Sequence, residues 1–316
     1  MKKAFVFVLC ALLTLACAAL AQAPPGVSVE KDVVYGRAGE VDLKLDLAKP
    51  STSTGPVPAI VCIHGGAWMS GSKNDYEPII RQFADAGYVA AAVEYRFAPT
   101  HKWPAQVEDV KCAVRYLRAH AKELNIDPQK IGAIGDSAGG HLALLLGLMD
   151  PKDGLEGNGG NRAVSSKVQA VVNIYGPVDL RTWHVLPEAE AAAAQAFGKS
   201  SEMMLADFIG TSDRTAALMA QASPVTYVNA GDPPILTFHG TKDQLVPFDQ
   251  ATTLQAALEK AGVTQKLVPL EGGGHSLDPL QIATVSQQAL AFFDSYLKGA
   301  PAPTASNPKE GTQTTR

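Results

Sequence analysis

A serine framed by glycines stands at position 137 in "AIGDSAGGHLALLLG" (133–147), where a short apolar run meets a longer one. A hydroxyl on a sharp strand-to-helix turn can expose its oxygen for attack on a carbonyl carbon. Such a turn tolerates no bulk two residues before and two after, and Gly135 and Gly139 meet that demand. The N-terminus of the helix that follows would aim free N–H groups and partial positive charge at the same spot, which favours a developing oxyanion. The competing reading is a glycine-rich helix start that only packs closely, so the five-residue pattern needs company.

A serine hydroxyl is a weak nucleophile without a base in reach and a carboxylate to orient that base. On such a turn the chain order runs serine, acid, histidine. His275, in "EGGGHSL" after the last strand, is the candidate base, since Gly272 to Gly274 let backbone cross close to a site. His141 comes one helical turn after the serine and is expected to pack on its own helix. His184 lies in a long insertion. His239, in "TFHGTKD", ends a strand and is expected to pack or hydrogen-bond locally. Asp243 in "HGTKDQLVP" is the candidate acid, with Asp249 and Asp232 read as a helix-start residue and a turn residue. Asp136, beside the serine, must point away from the elbow and is read as structural. Donors for an oxyanion, worth about 2.7–4 kcal/mol each, are expected from "CIHGGAW": the N–H groups of Gly65 and Gly66, with Ala67 next in line, joined by that of Ala138. Trp68 follows that loop and either lines an acyl or alcohol pocket or anchors the loop from below.

Four such groups can converge only if a scaffold carries each to one edge. "VDLKLDL" (41–47) alternates apolar and charged residues, as a half-exposed antiparallel strand does, and "VVY" (33–35) begins its hairpin partner. The later strands are apolar throughout, at 59–63, 88–95, 130–135, 170–175, 235–238 and 266–270, which suits strands buried on both faces. Helix-length segments separate them at 76–86, 104–124, 138–149, 248–261 and 280–297. This alternation predicts an α/β fold, a mostly parallel sheet with helices on both faces, in one domain over residues 26–300. Ligands of such sheets gather beyond the carboxyl ends of the strands. That is where Ser137, Asp243, His275 and "HGGAW" all fall. Residues 177–234 fit no alternation; Trp183, Leu186, Met203, Met204, Phe208 and Met219 are scattered through them. They are read as a lid or pocket wall, or as plain edge packing.

The 316 residues, 46% hydrophobic and 18% charged with net charge −4, describe a globular chain with a large core. So mild a charge gives no reason to expect nucleic acid as a partner. Lys2 and Lys3 ahead of the apolar run Ala4 to Leu20 read as a signal peptide over 1–21, so the protein is expected to be exported, periplasmic or secreted, without stable membrane insertion. Residues 301–316 read as a disordered tail. Cys62 and Cys112 remain after the leader and are expected to be buried free thiols. No metal-ligand spacing occurs, and the chemistry asks for no cofactor or metal. The acidic "DPKDGLEGNGGN" (150–161) is read as a surface loop, since it lacks EF-hand spacing.

Together, "HGGAW", "EYRFAP", "WPAQVEDV", "GDSAGGHLA", "LEGNGGN", "HGTKDQLVP" and "GGGHS" make the chain resemble an α/β-hydrolase. It is similar to the hormone-sensitive-lipase group of bacterial esterases, and more so to proteins related to bifunctional feruloyl and acetyl-xylan esterases. The resemblance covers about Val33 to Leu297 and implies Ser137, Asp243 and His275 as a triad, with Gly65, Gly66 and Ala138 as oxyanion donors. It implies a serine carboxylesterase acting on short-chain or aromatic esters, small or borne on plant polysaccharide. A serine peptidase or amidase of the same fold, or a non-catalytic binding protein, are the alternatives. Two departures stand out: Ala67 replaces the last glycine of a full "HGGG", and little chain precedes the first strand to form the cap helices of the hormone-sensitive-lipase group. A more open cleft is therefore expected.

Overall fold

The computed structural model describes residues 26–301; the expected leader and tail lie outside the described residues, the tail but for its first residue. Eight strands form one sheet: β1 (Val27–Ala38), β2 (Val41–Pro50), β3 (Val57–Ile63), β4 (Val89–Val93), β5 (Ile126–Asp136), β6 (Ala170–Ile174), β7 (Ile235–Gly240) and β8 (Gln265–Leu270). Their spatial order is β1-β2-β4-β3-β5-β6-β7-β8. β1 and β2 pair antiparallel, β2 meets β4 antiparallel, and every later pairing is parallel. The helices are α1 (Glu77–Asp85), α2 (Ala105–Ala119), α3 (Ala138–Leu148), α4 (Pro187–Phe197), α5 (Ser201–Ile209), α6 (Ala217–Gln221), α7 (Asp249–Ala261) and α8 (Pro279–Leu297).

The two-residue period of a strand divides the core into two. In β3, Ala59, Val61 and Ile63 join a cluster with α2, α3 and α7, whereas Ile60 and Cys62 face the other way onto α1 and α8. Cys112 of α2 belongs to the first cluster and Cys62 to the second, so the sheet itself keeps the two thiols apart; both are free and buried. α3 is buried along its whole length, because the sheet covers one side and the insertion the other.

Two strands differ from their sequence patterns. Asp46 of β2 falls where the alternation predicts an exposed position, yet it is wholly buried. Lys31 and Lys73 place ammonium groups 2.8 and 2.7 Å from its carboxylate, and Asp32 N–H adds a third donor at 2.9 Å. β8, apolar enough to read as a central strand, is the sheet's edge and only partly buried; it holds Pro269, which an edge accommodates.

The acidic loop at 150–161 turns two of its carboxylates on cations, and Asp153 accepts the Asp150 N–H at 2.8 Å. Glu156 meets Lys111 at 3.1 Å and Arg115 at 2.7 Å, and Asp150 pairs with Lys167. Among the described residues, no group of His, Cys, Asp and Glu could hold a metal ion.

Candidate active site

Ser137 joins β5 to α3 with φ 51° and ψ −120°, a backbone setting that costs a non-glycine residue about 1–3 kcal/mol and persists only where the surroundings enforce it. The surroundings are tight. A Cβ on Gly135 would overlap the Gly139 backbone, and one on Gly139 would overlap the Ile63 carbonyl oxygen of β3. The Ser137 N–H is donated to the Ile174 carbonyl of β6 at 2.9 Å. The two flanking glycines therefore serve close approach, which lets the elbow lie against β3.

Sequence-distant groups meet there. Nε2 of His275, on the loop between β8 and α8, is 2.8 Å from Ser137 Oγ, and its Nδ1 is 2.7 Å from Asp243 Oδ2. Asp243 is buried in the loop after β7. Its other oxygen accepts the N–H groups of Leu245 and Val246, both at 2.9 Å, so the carboxylate is fixed before it meets the imidazole. An ionised carboxylate only accepts, so His275 carries its proton on Nδ1 and turns a bare Nε2 toward the hydroxyl. The arrangement can pass a proton from Ser137 to His275.

On the other side of Ser137, Gly66, Ala67 and Ala138 line a cavity of about 170 Å³. Gly65, expected from the sequence to donate to an oxyanion, does not: its N–H is already given to Asp136 Oδ1 at 3.0 Å. The same oxygen accepts the Tyr76 hydroxyl at 2.6 Å. A Cβ at position 65 would lie 2.6 Å from Asp136 Oδ2, which is why glycine stands there. Asp136 is structural, as read, and its particular task is to latch the loop after β3 onto the elbow. Burial, reinforced by Asp136, pushes the Tyr76 phenol well above its ordinary range, so it remains a donor.

The loop has further holds. Tyr95 donates its hydroxyl to the His64 carbonyl at 3.1 Å. Arg96 forks onto Asp109 at 2.8 and 2.9 Å, which joins "EYRFAP" to "WPAQVEDV". Trp68 satisfies both of its readings: it is almost fully buried under the loop, and it also lines the cavity.

The rest of the cavity wall comes from Tyr175, which the sequence left without a role, and from the insertion. Tyr175, directly after β6, packs on the His275 ring at 4.7 Å between centroids. Burial, with Asp136 and Asp243 nearby, raises its phenol pKa. Its signal was its position at a strand's carboxyl end beside Ser137. Trp183, Val185, Phe197 and Met204 of the insertion complete the wall, the place that one reading of 177–234 gave it, and with helices α4 and α5 there the cleft is less open than expected. Trp183 Nε1 donates to the Leu245 carbonyl at 2.9 Å, tying the insertion to the loop that holds Asp243. Of the other histidines, His239 bonds locally to the Val246 carbonyl as expected, and His184 is exposed. His141 does not pack on its own helix; its nitrogens reach Trp68 and Ala222.

The BD-FAE family profile matches residues 45–258. The chain belongs to the BD-FAE family. It is 33% identical to Esterase LipC of Mycobacterium tuberculosis over 76% of this chain and 58% of that protein. The chain spans between 48% and 59% of the length of three such curated relatives. Among solved structures, a truncated carbohydrate esterase from gut microbiota superposes with a TM-score of 0.71 at 28% identity, covering 86% of this chain and 96% of that one. A thermophilic esterase of the planctomycete Thermogutta terrifontis gives 0.71 at 32% identity, over 89% and 96%. The α/β-hydrolase fold read from the sequence is the fold these esterases share, and the BD-FAE match extends from β2 into α7.

Proposed function

We propose that this BD-FAE chain is a serine carboxylesterase that cleaves short-chain esters through an acyl-enzyme at Ser137. The observation that carries the reading is the unbroken relay from Asp243 to His275 to Ser137, at 2.7 and 2.8 Å. His275 Nε2 takes the hydroxyl proton as Oγ bonds to the ester carbonyl carbon. The carbonyl oxygen, now negative, faces the N–H groups of Gly66, Ala67 and Ala138. The proton on Nε2 passes to the departing alcohol oxygen, and Asp243 steadies the imidazolium meanwhile. Water, deprotonated by the same nitrogen, then attacks the acyl carbon and releases the acid, restoring Ser137.

A cavity of about 170 Å³ with a largely apolar lining has room for an acyl chain of a few carbons. The Thermogutta terrifontis esterase is known with butyrate bound and phosphorylated by paraoxon, which supports the acyl size and an enzyme with a reactive nucleophile. Similarity to a carbohydrate esterase supports a second reading in which the short acyl group is carried by a polysaccharide. The leader-like N-terminus supports an exported enzyme.

A fluorophosphonate probe and a panel of p-nitrophenyl esters, methyl ferulate, acetylated xylan and matched amides test the reading. The wild-type protein should be labelled and should turn over acetate to butyrate esters fastest. Ser137→Ala should escape labelling and lose at least ~10³-fold in kcat. Ester turnover that survives Ser137→Ala would overturn the assignment, and amides cleaved faster than their ester partners would make the chain an amidase.

A further inference from the structure

His141 takes no part in this chemistry, yet it is wholly buried next to it and both of its ring nitrogens are committed. Its Nδ1 lies 3.2 Å from Trp68 Nε1. An indole nitrogen only donates, so Nδ1 accepts and the ring proton sits on Nε2. Nε2 lies 2.7 Å from the Ala222 carbonyl oxygen, the acceptor that proton requires. Partners on both sides thus dictate one neutral tautomer. Trp68, Trp103 and Phe208 close around the ring edge-on, at 5.2, 6.3 and 6.0 Å between centroids.

Trp68 is not an ordinary core residue. It ends the stretch that presents Gly66 and Ala67 to the cavity, and Ala67 and Trp68 both hold left-handed backbone, φ 52° and 60°. Two such residues in succession cost about 1–3 kcal/mol each and need external restraint. The indole supplies a grip for it, stacked flat on Phe208 at 4.1 Å and 2°, with its N–H ending on His141. His141 shares α3 with Ala138. One helix therefore carries one oxyanion donor and the clamp on the loop that carries the others.

We propose that His141 is a positioning residue: through the Trp68 indole it sets the backbone N–H groups of Gly66 and Ala67, and through the Ala222 carbonyl it locks that setting to the insertion. The inference rests on the ester-hydrolysing reading of the site. A histidine that merely filled the core would lower stability when replaced and leave the chemical step alone. A positioning histidine must act on kcat, since oxyanion donors bind the transition state more tightly than the ground state.

Amide side chains separate the two nitrogens. In His141→Asn the amide oxygen can stand near the place of Nδ1 and accept the indole N–H, while the bond to Ala222 is lost. In His141→Gln the longer side chain can reach Ala222 and gives up the indole. Steady-state kinetics on p-nitrophenyl butyrate, with melting temperatures alongside, should show Trp68→Phe and His141→Gln losing about tenfold in kcat with KM within about twofold, since the donors are displaced and not removed. His141→Asn should keep at least about a third of kcat at an equal or larger loss of melting temperature. Affinity for a trifluoromethyl ketone, whose adduct oxygen occupies the oxyanion position, should fall in step with kcat/KM. Unchanged kcat across the series, or equal losses for Asn and Gln, would overturn the inference. If neither His141 variant folds, Trp68→Phe decides alone. Absence of ester turnover in the wild-type protein would be a different failure, that of the esterase reading itself.

Discussion

Two histidines flank the elbow and are held in opposite tautomers. His275 donates its Nδ1–H to the Asp243 carboxylate and turns a bare Nε2 on a hydroxyl. His141 donates its Nε2–H to a carbonyl and accepts an indole N–H on Nδ1. His275 is half-buried and rests at the cavity wall; His141 is sealed among aromatic rings, and that burial pushes its pKa down to about 4. A base needs a partner that can surrender a proton and a carboxylate to steady the charge that results. A strut needs neither, and a charge would ruin it. The same imidazole thus serves reaction or rigidity according to which nitrogen its neighbours claim.

The sharpest way to break that contrast is to remove what sets the tautomer of His275. Asp243→Asn keeps the shape and offers Nδ1 an amide that can donate as well as accept, which lets the ring proton move to Nε2. The expected loss is about 10⁴-fold in kcat with KM little changed, read with p-nitrophenyl butyrate at pH 7. A loss below tenfold would mean that Asp243 does not choose the tautomer.

The next effect concerns the latch at Asp136. Asp136→Ala leaves the Gly65 N–H and the buried Tyr76 hydroxyl unpaired. Hydrogen bonds to a charged group contribute about 1.5–3 kcal/mol, so kcat should fall roughly 10–100-fold as the loop loosens, and Asp136→Asn should recover much of it. The sign is the informative part. If the Gly65 N–H were wanted at the oxyanion, freeing it would raise kcat.

These residues also show where sequence reading succeeds and where it stops. Ser137, Asp243 and His275 were legible because each stands at a strand's carboxyl end in a fixed chain order, and a regular sheet brings such ends together without further information. The glycine of Gly65 was legible, but the fate of its N–H was not, because a carboxylate 71 positions away captures it. His141 was misread as a local packer since its partners lie 73 and 81 positions off. The insertion was read as a lid or pocket wall, but the bounds of helices α4 to α6 within it were not legible, for another reason. Their apolar residues face a cavity wall and α3 rather than the sheet, and Met203 beside buried Met204 is largely exposed, so no single period runs through the stretch. Asp46 keeps the expected period in sequence but not in burial, which Lys31, Lys73 and the Asp32 N–H make tolerable.

The smallest effect tests the strut without touching turnover. An unfolded histidine titrates near 6.5, whereas His141 in the fold titrates near 4. Between those values the unfolded chain binds the proton that the folded chain refuses, so stability falls as pH falls. The contribution is complete above about pH 6.5 and is lost progressively as pH approaches 4. Between pH 7 and pH 5.5 this single group should withdraw about 1 kcal/mol. Other groups titrate too, and His141→Asn isolates the term because it removes the titrating imidazole and leaves every other titratable group in place, its lost bond to Ala222 being a cost that does not vary with pH. The unfolding free energy of the wild-type protein relative to that variant, from urea denaturation at the two pH values, should therefore drop by about 1 kcal/mol on acidification. A constant difference would mean that the ring is hydrated, or accepts a proton in place, and can therefore exchange partners. His141 would then stand closer in kind to His275, and a ring that changes partners could not hold Trp68 in one setting.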